Sequence, residues 1–119
     1  MSLALYHPVH GYYNSADTQS DFYTNADVHP VFGETLAAYF CAEWGKMKHP
    51  PKVIRLVEPG CGEGKLASHI LNWMERHQPE LFGRTQYTGI EPSPARRAKA
   101  EQNNSRFKQT AIFKPTFDF

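Results

Sequence analysis

The feature that most constrains the fold of this sequence is a set of alternating glycines, Gly60, Gly62 and Gly64. They follow an apolar run at residues 53–57, which has the composition of a buried strand, and they precede a helical pattern. Glycine adopts positive φ and lets a ligand approach the main chain, and the first N–H groups of the next helix are free donors. The sequence therefore predicts a strand–turn–helix unit that binds a nucleotide-type cofactor.

Hydrophobic periodicity predicts further elements around this unit. The predicted helices cover residues 32–47, 64–77 and the stretch from Pro94 to about Asn103, and the predicted strands cover residues 53–58, 86–91 and 110–113. Ser93 is a candidate N-cap and Pro94 a candidate first helical residue. Alternation of helices and strands indicates an α/β fold with a parallel sheet and right-handed crossovers.

The chain divides into two parts by composition. Residues 1–31 are rich in Tyr, His, Asp, Pro and Asn without a sustained period, so we expect an irregular lead-in or lid segment there. Residues 32–119 are expected to form the start of a cofactor-binding domain. Because residues 117–119 are mostly apolar and no turn signal closes them, we expect the sequence to stop within a domain.

Charge and composition exclude several function classes. The net charge is +1, so the sequence gives no electrostatic reason to expect nucleic acid or an acidic membrane as a partner. The apolar runs fall short of the roughly 20 residues that span a bilayer. His7 and His10 lie in a stretch interrupted by Pro and Gly, so no metal site is predicted. Two cysteines without a disulfide pattern, and no secretory or organellar leader, favour a cytoplasmic setting.

Three types of glycine loop compete for this turn. A phosphate-binding P-loop needs a glycine where Pro59 stands and a hydroxyl where Leu66 stands. A dinucleotide fingerprint needs its third glycine one residue after Gly64, and Glu58 would repel a pyrophosphate. Both interpretations stay open as minor alternatives.

The third type binds S-adenosylmethionine (SAM), which carries a sulfonium and an amino group but no phosphate. An acid at the end of the first strand, Glu58, then attracts the positive ligand directly or through water. A second acid, Glu91, stands where a carboxylate can accept hydrogen bonds from both ribose hydroxyls. The two acids together with the glycines favour SAM over the other cofactors.

The sequence resembles the MidA-type (DUF185) family of SAM-dependent methyltransferases. The similar segments are residues 4–13 (ALYHPVHGYY), 20–24 (SDFYT), 32–34 (FGE), 56–67 (LVEPGCGEGKLA) and 91–94 (EPSP), so that the likeness covers about residues 4–105. Pro59, Cys61 and Glu63 depart from the usual residues of the family's glycine motif. All three are at variable positions of that motif, so the departures leave cofactor binding intact.

The resemblance implies a Rossmann-like class I methyltransferase fold, of which this chain supplies an N-terminal part with a partial sheet. It also implies methyl transfer from SAM to a protein. Mitochondrial relatives methylate an arginine in a subunit of respiratory complex I, whereas bacterial relatives have less certain substrates. A bacterial cytoplasmic protein is our expectation here. Alone, a chain of this length is expected to have weak or no activity.

The expected cofactor-binding residues combine the turn, the acids and the family's lead-in: Glu58, Gly60, Cys61, Gly62, Gly64, Glu91, Pro92, Tyr23, Thr24 and Gly33. Each has a simpler alternative. The glycines could serve only a tight turn, the acids could be solvated, and residues 21–24 could be an ordinary loop. Cys61 is interpreted as a small side chain rather than a nucleophile.

No catalytic residue is assigned from the sequence, and Asp21 and Glu34 are weak candidates to orient an arginine acceptor. Two rival functions stay open: a non-catalytic assembly or scaffold protein that retains the fold, and a small-molecule methyltransferase. A truncated sheet would also leave an unpaired edge, through which copies of the chain could associate.

Overall fold

The protein forms a four-stranded parallel sheet in the order β1–β2–β3–β4, with helices between the strands. The structure is a computed structural model that describes residues 2–4 and 29–116. Its elements are β1 (Ser2–Ala4), α1 (Pro30–Lys46), β2 (Ile54–Pro59), α2 (Lys65–His77), α3 (Pro79–Phe82), β3 (Thr85–Ile90), α4 (Pro94–Asn103), a 3-10 helix (Ser105–Phe107) and β4 (Ala111–Lys114). The predicted α/β class and parallel sheet are confirmed.

The strand register places the carboxyl ends of β2 and β3 side by side. Glu58 of β2 pairs with Gly89 of β3, and Pro59 pairs with Ile90. Glu91 follows β3 directly, and its N–H donates to the carbonyl of Lys114 at the end of β4. The two acids singled out by the sequence therefore lie at the same edge of the sheet, where ligands bind in open α/β folds.

Most element boundaries lie within two residues of their predicted positions. Ser93 is the N-cap of α4, its hydroxyl accepts a hydrogen bond from the N–H of Arg96, and Pro94 opens the helix as predicted. The short helix α3 and the 3-10 helix were not predicted. Each covers four residues or fewer, which is too short for a helical period to appear in the sequence.

The expectation of an irregular segment over residues 1–31 is wrong at its start and at its end. Ser2–Ala4 form β1, which pairs in parallel with residues 55–57 of β2. Helix α1 begins at Pro30 rather than at Phe32. The pairing of β1 joins residues more than fifty positions apart, and a three-residue strand is too short to show an alternating pattern. Residues 5–28 lie outside the described part of the chain.

The core lies between the sheet and the helices, and it contains the predicted apolar stripes. Helix α1 buries Ala37, Phe40, Cys41 and Trp44, and helix α2 buries Ala67, Ile70, Leu71 and Met74. Both stripes follow the spacing of one helical face. Within the described residues, no helix is long and apolar enough to cross a membrane.

Helices α1 and α2 approach each other closely at Gly33. A Cβ at position 33 would lie 2.6 Å from the Cβ of His69 and 3.3 Å from a methyl carbon of Leu66. The glycine is buried, so no solvent gap could take up an added methyl group. Gly45 differs from it, because a Cβ there would meet nothing within 4 Å.

Two glycine-to-alanine substitutions in α1 should therefore change stability in opposite directions. We expect Gly33→Ala to lower the free energy of unfolding by about 1–3 kcal/mol, because the added methyl overpacks the helix contact. We expect Gly45→Ala to raise it by about 0.5–1 kcal/mol, because alanine favours the helix. Urea denaturation of both variants measures this, and equal effects would contradict the close contact at Gly33.

Candidate cofactor-binding site

The turn between β2 and α2 has the backbone conformation that its glycines permit. Gly60, Gly62 and Gly64 have φ values of 66°, 58° and 75°, all in the left-handed region. The N–H of Cys61 donates to the carbonyl of Ile90 at 3.0 Å, which ties the turn to the end of β3. Three left-handed residues explain why the sequence carries glycine at each of these positions.

Gly62 and Gly64 face different surroundings. Apart from its two chain neighbours, no described residue has a heavy atom within 4 Å of a Cβ built on Gly62, so these residues leave that face of the turn open. A Cβ on Gly64 would lie 2.7 Å from the side-chain nitrogen of Asn104 and 2.9 Å from the Cβ of Ala100. Gly64 therefore serves the close approach of the turn to α4, whereas the described residues leave space beside Gly62.

Two asparagines at the end of α4 donate side-chain hydrogen bonds to carbonyls of the glycine turn. The side-chain amide of Asn103 donates to the carbonyl of Glu63, and that of Asn104 donates to the carbonyl of Gly64, both at 2.9 Å. Asn104 is 2% exposed and also donates to the carbonyl of Ala100. Sequence reasoning identified this pair only as a helix end, because no local pattern connects it to a turn forty residues earlier.

Glu91 joins the glycine turn to the end of β3. One carboxylate oxygen accepts a hydrogen bond from the N–H of Gly62 at 2.9 Å, and the other accepts from the N–H of Ser93 at 3.0 Å. Each carboxylate oxygen has two acceptor positions, so both oxygens retain capacity for a ligand hydroxyl. The structure thus brings together the two halves of the motif that the sequence analysis combined.

Glu58 is a buried acid at the end of β2. It is 2% exposed, and the hydroxyl of Tyr87 donates to its Oε1 at 2.6 Å. A bond of this length between a hydroxyl and a carboxylate is a strong, charge-assisted one. Tyr87 is fully buried and was not singled out by the sequence, where it appears as one more aromatic residue in a strand.

Cys61 points into the protein from the turn. Its side chain is 3% exposed, and its sulfur occupies space that a side chain at position 89 would need. Burial raises the pKa of the Cys61 thiol, and the negative charges of Glu58 and Glu91 raise it further. The thiol is therefore protonated at neutral pH, which supports its interpretation as a small packing residue and not as a nucleophile.

The other expected site residues are spread over three parts of the chain. Pro92 is exposed directly after Glu91. Gly33 packs against α2, and the half-buried Glu34 follows it in α1. Burial lowers the pKa of the His69 imidazole in α2, and the negative charge of Glu34 opposes this shift. Tyr23 and Thr24 lie outside the described residues. Cofactor contacts of all these residues stay predictions.

The donor set around the turn suits a positively charged ligand without phosphate. Two buried carboxylates, Glu58 and Glu91, lie close enough to Cys61 to act on its charge state, and both would repel a pyrophosphate. Carboxylates attract positively charged groups such as a sulfonium or an ammonium. Within residues 29–116, no cluster of three or more His, Cys, Asp and Glu side chains could hold a metal ion.

Comparison with known proteins supports the cofactor that this geometry favours. Residues 35–116 match a family model described as "Putative S-adenosyl-L-methionine-dependent methyltransferase". The chain belongs to this family. The match contains the glycine turn and both acids, so SAM dependence, expected from the sequence, is confirmed for the family. No solved structure matches the chain.

Several curated proteins are similar to the chain over part of its length. The Drosophila melanogaster protein named "Protein arginine methyltransferase NDUFAF7 homolog, mitochondrial" is 32% identical over 67% of this chain and 19% of its own length. The Xenopus laevis and Homo sapiens proteins named "Protein arginine methyltransferase NDUFAF7, mitochondrial" are 39% and 36% identical, each over 60% of this chain and 17% of its own length. The matches thus span less than a fifth of these relatives.

These relatives contradict one expectation and confirm another. All three are mitochondrial by name, which contradicts the expected bacterial cytoplasmic setting. The resemblance to MidA-type methyltransferases is confirmed by the family and by the relatives. Composition misled here because a net charge of +1 is compatible with several compartments.

The two faces of the turn should respond differently to an added methyl group. We expect Gly62→Ala to lower the free energy of unfolding by about 1–2 kcal/mol, because only the left-handed conformation opposes it. We expect Gly64→Ala to lower it by roughly 2–4 kcal/mol, because the methyl also collides with Asn104 and Ala100. Urea denaturation compares them, and equal losses would show that α4 does not restrict the turn.

Proposed function

We propose that the protein transfers a methyl group from SAM to an arginine side chain of a protein. The observation that carries the proposal is the 2.9 Å hydrogen bond from the N–H of Gly62 to Glu91, which joins the glycine turn to the second acid. The family supports the cofactor, and the names of the relatives, which are arginine methyltransferases, support the acceptor.

The residues of the turn define how the cofactor would bind. Glu91, already fixed by two backbone N–H groups, would accept the ribose hydroxyls. The open face at Gly62 would admit the cofactor close to the main chain. Glu58 would stabilise the positive charge of the methionine end, directly or through water.

When bound, SAM supplies the methyl group of its sulfonium, and the sulfur that remains after the transfer is a neutral thioether. The protein then has to hold the acceptor nitrogen in line with the reacting carbon, within about 3–3.5 Å. An arginine acceptor starts protonated, so a carboxylate must orient the guanidinium and accept its proton as the new bond forms. Asp21 and Glu34 are the candidates for this role that the sequence offers.

The scaffold function is the weaker alternative. A protein that had lost its cofactor would have no need for two buried carboxylates and three left-handed glycines at the carboxyl ends of two neighbouring strands. Burial of such charges is unfavourable unless hydrogen bonds compensate it. Glu58 and Glu91 are both hydrogen-bonded and both lie beside an open turn, which favours a protein that binds a ligand there.

Replacement of Glu91 tests the cofactor site. In the full natural protein we expect Glu91→Ala to weaken SAM binding roughly 10- to 100-fold, because hydrogen bonds to a charged group are lost. Glu101→Ala is the matched control, since it removes an exposed carboxylate from α4 of the same protein. Calorimetric titration measures both affinities, with circular dichroism to establish that each variant is folded.

The outcomes separate the hypotheses. Loss of binding in Glu91→Ala with normal binding in Glu101→Ala would support the site. A folded wild-type protein that does not bind SAM would exclude the methyltransferase function and favour the scaffold. Tighter binding of NADH than of SAM would favour the dinucleotide interpretation of the turn.

The arginine acceptor is tested with isotope-labelled SAM. We expect the full natural protein to transfer label to a protein of a mitochondrial extract, and amino-acid analysis to recover the label as methylarginine. At a SAM concentration below saturation, replacement of Glu91 by alanine should slow the transfer roughly 10- to 100-fold, because the cofactor binds that much more weakly. Label recovered only in small molecules would overturn the protein acceptor while leaving SAM dependence intact.

A further inference from the structure

We propose that Tyr87 is a positioning residue, which fixes the carboxylate of Glu58 in the orientation that receives the positively charged methionine end of SAM. The proposal rests on the proposed function and adds to it a residue outside the glycine turn and the acidic motif. The hydroxyl of Tyr87 is buried and donates a hydrogen bond to Glu58. A side chain that only filled the apolar core would not need this hydroxyl.

The two side chains meet from neighbouring strands. Tyr87 of β3 pairs in register with Leu56 of β2, two residues before Glu58, so its ring runs along the sheet toward the strand ends. Its hydroxyl lies 2.6 Å from Oε1 of Glu58. Tyr87 is 0% exposed, so its ring cannot change rotamer without disturbing the core.

A tyrosine in this place does more than fill space. A buried carboxylate requires donors, and in a low-dielectric interior a hydrogen bond to it is stronger than in water. The phenol donates while its rigid ring, with two rotatable bonds, holds the donor in one place. The carboxylate of Glu58 is therefore held in one orientation before any ligand arrives, which lowers the cost of binding.

The two acids of the site depend on different donors. Glu91 is held by backbone N–H groups of Gly62 and Ser93, whereas Glu58 accepts a hydrogen bond from the side chain of Tyr87. A single substitution can therefore disturb Glu58 and leave Glu91 in place. Loss of the Tyr87 hydroxyl should weaken recognition of the amino-acid end of the cofactor and spare the adenosine end.

Two ligands distinguish these ends. SAM contains both, whereas 5′-methylthioadenosine keeps the adenosine and lacks the charged amino-acid part and the sulfonium. We expect Tyr87→Phe in the full natural protein to weaken SAM binding about tenfold. Its affinity for 5′-methylthioadenosine should stay within about twofold of wild type. Tyr39→Phe, which removes a hydroxyl from an exposed tyrosine of α1, should change neither affinity.

A second pair of variants tests whether Tyr87 acts through Glu58. Glu58→Gln retains an oxygen that can accept from Tyr87 but removes the charge, so it should show the same selective loss of SAM binding. In the Glu58→Gln background, Tyr87→Phe should cause little further loss, because residues in one network are not additive. If Tyr87→Phe is poorly folded, Glu58→Gln alone still tests the proposal, because it leaves the buried Tyr87 ring in place and must lose SAM binding while binding of 5′-methylthioadenosine is kept.

Each other result overturns the proposal. Unchanged SAM binding in folded Tyr87→Phe, or equal loss for both ligands, would leave Tyr87 a core residue only. Additive losses in the double variant would show that it does not act through Glu58. If the wild-type protein binds 5′-methylthioadenosine but not SAM, the positioning role and the methyltransferase function are both overturned. If the wild-type protein binds SAM normally, a failure of the variants overturns the positioning role alone.

Discussion

The structure depends on the hydrogen bond between the N–H of Gly62 and the carboxylate of Glu91. It joins residues 29 positions apart and fixes the glycine turn against the end of the neighbouring strand. Gly62, which donates this bond, has a φ of 58° in the left-handed region that glycine adopts readily. Cys61 and Ser93 extend this connection through further backbone hydrogen bonds. Together these bonds preform the turn before a ligand binds.

Charge selects the ligand that such a preformed turn can accept. Many glycine turns at strand ends bind phosphate, because helix N-termini attract anions. Here two buried carboxylates beside the turn oppose an anion and favour a cation. Burial raises the pKa of the Cys61 thiol, and the same two negative charges raise it further. The membership of the chain in a SAM-dependent methyltransferase family agrees with this selection.

Several structural roles lay outside what sequence patterns could reveal. The predicted helices, strands, N-cap and paired acids rest on local periodicity or on motif spacing, and the structure has them at or near the predicted positions. Tyr87 and Asn104 act instead through contacts with Glu58 and Gly64, at separations of 29 and 40 residues. The strand Ser2–Ala4 pairs with β2 over a still longer distance. The setting was mispredicted because composition alone does not specify a compartment.

The sequence by itself determined the strand–glycine–helix unit, the apolar faces of α1 and α2, and the two acids at neighbouring strand ends. These features depend on interactions within a few residues, so alternation, helical spacing and glycine positions express them directly. Only the tertiary structure decided which side chains support the turn and the acids. Those choices depend on which surfaces meet after the sheet has formed, and residues that meet in this way share no local pattern.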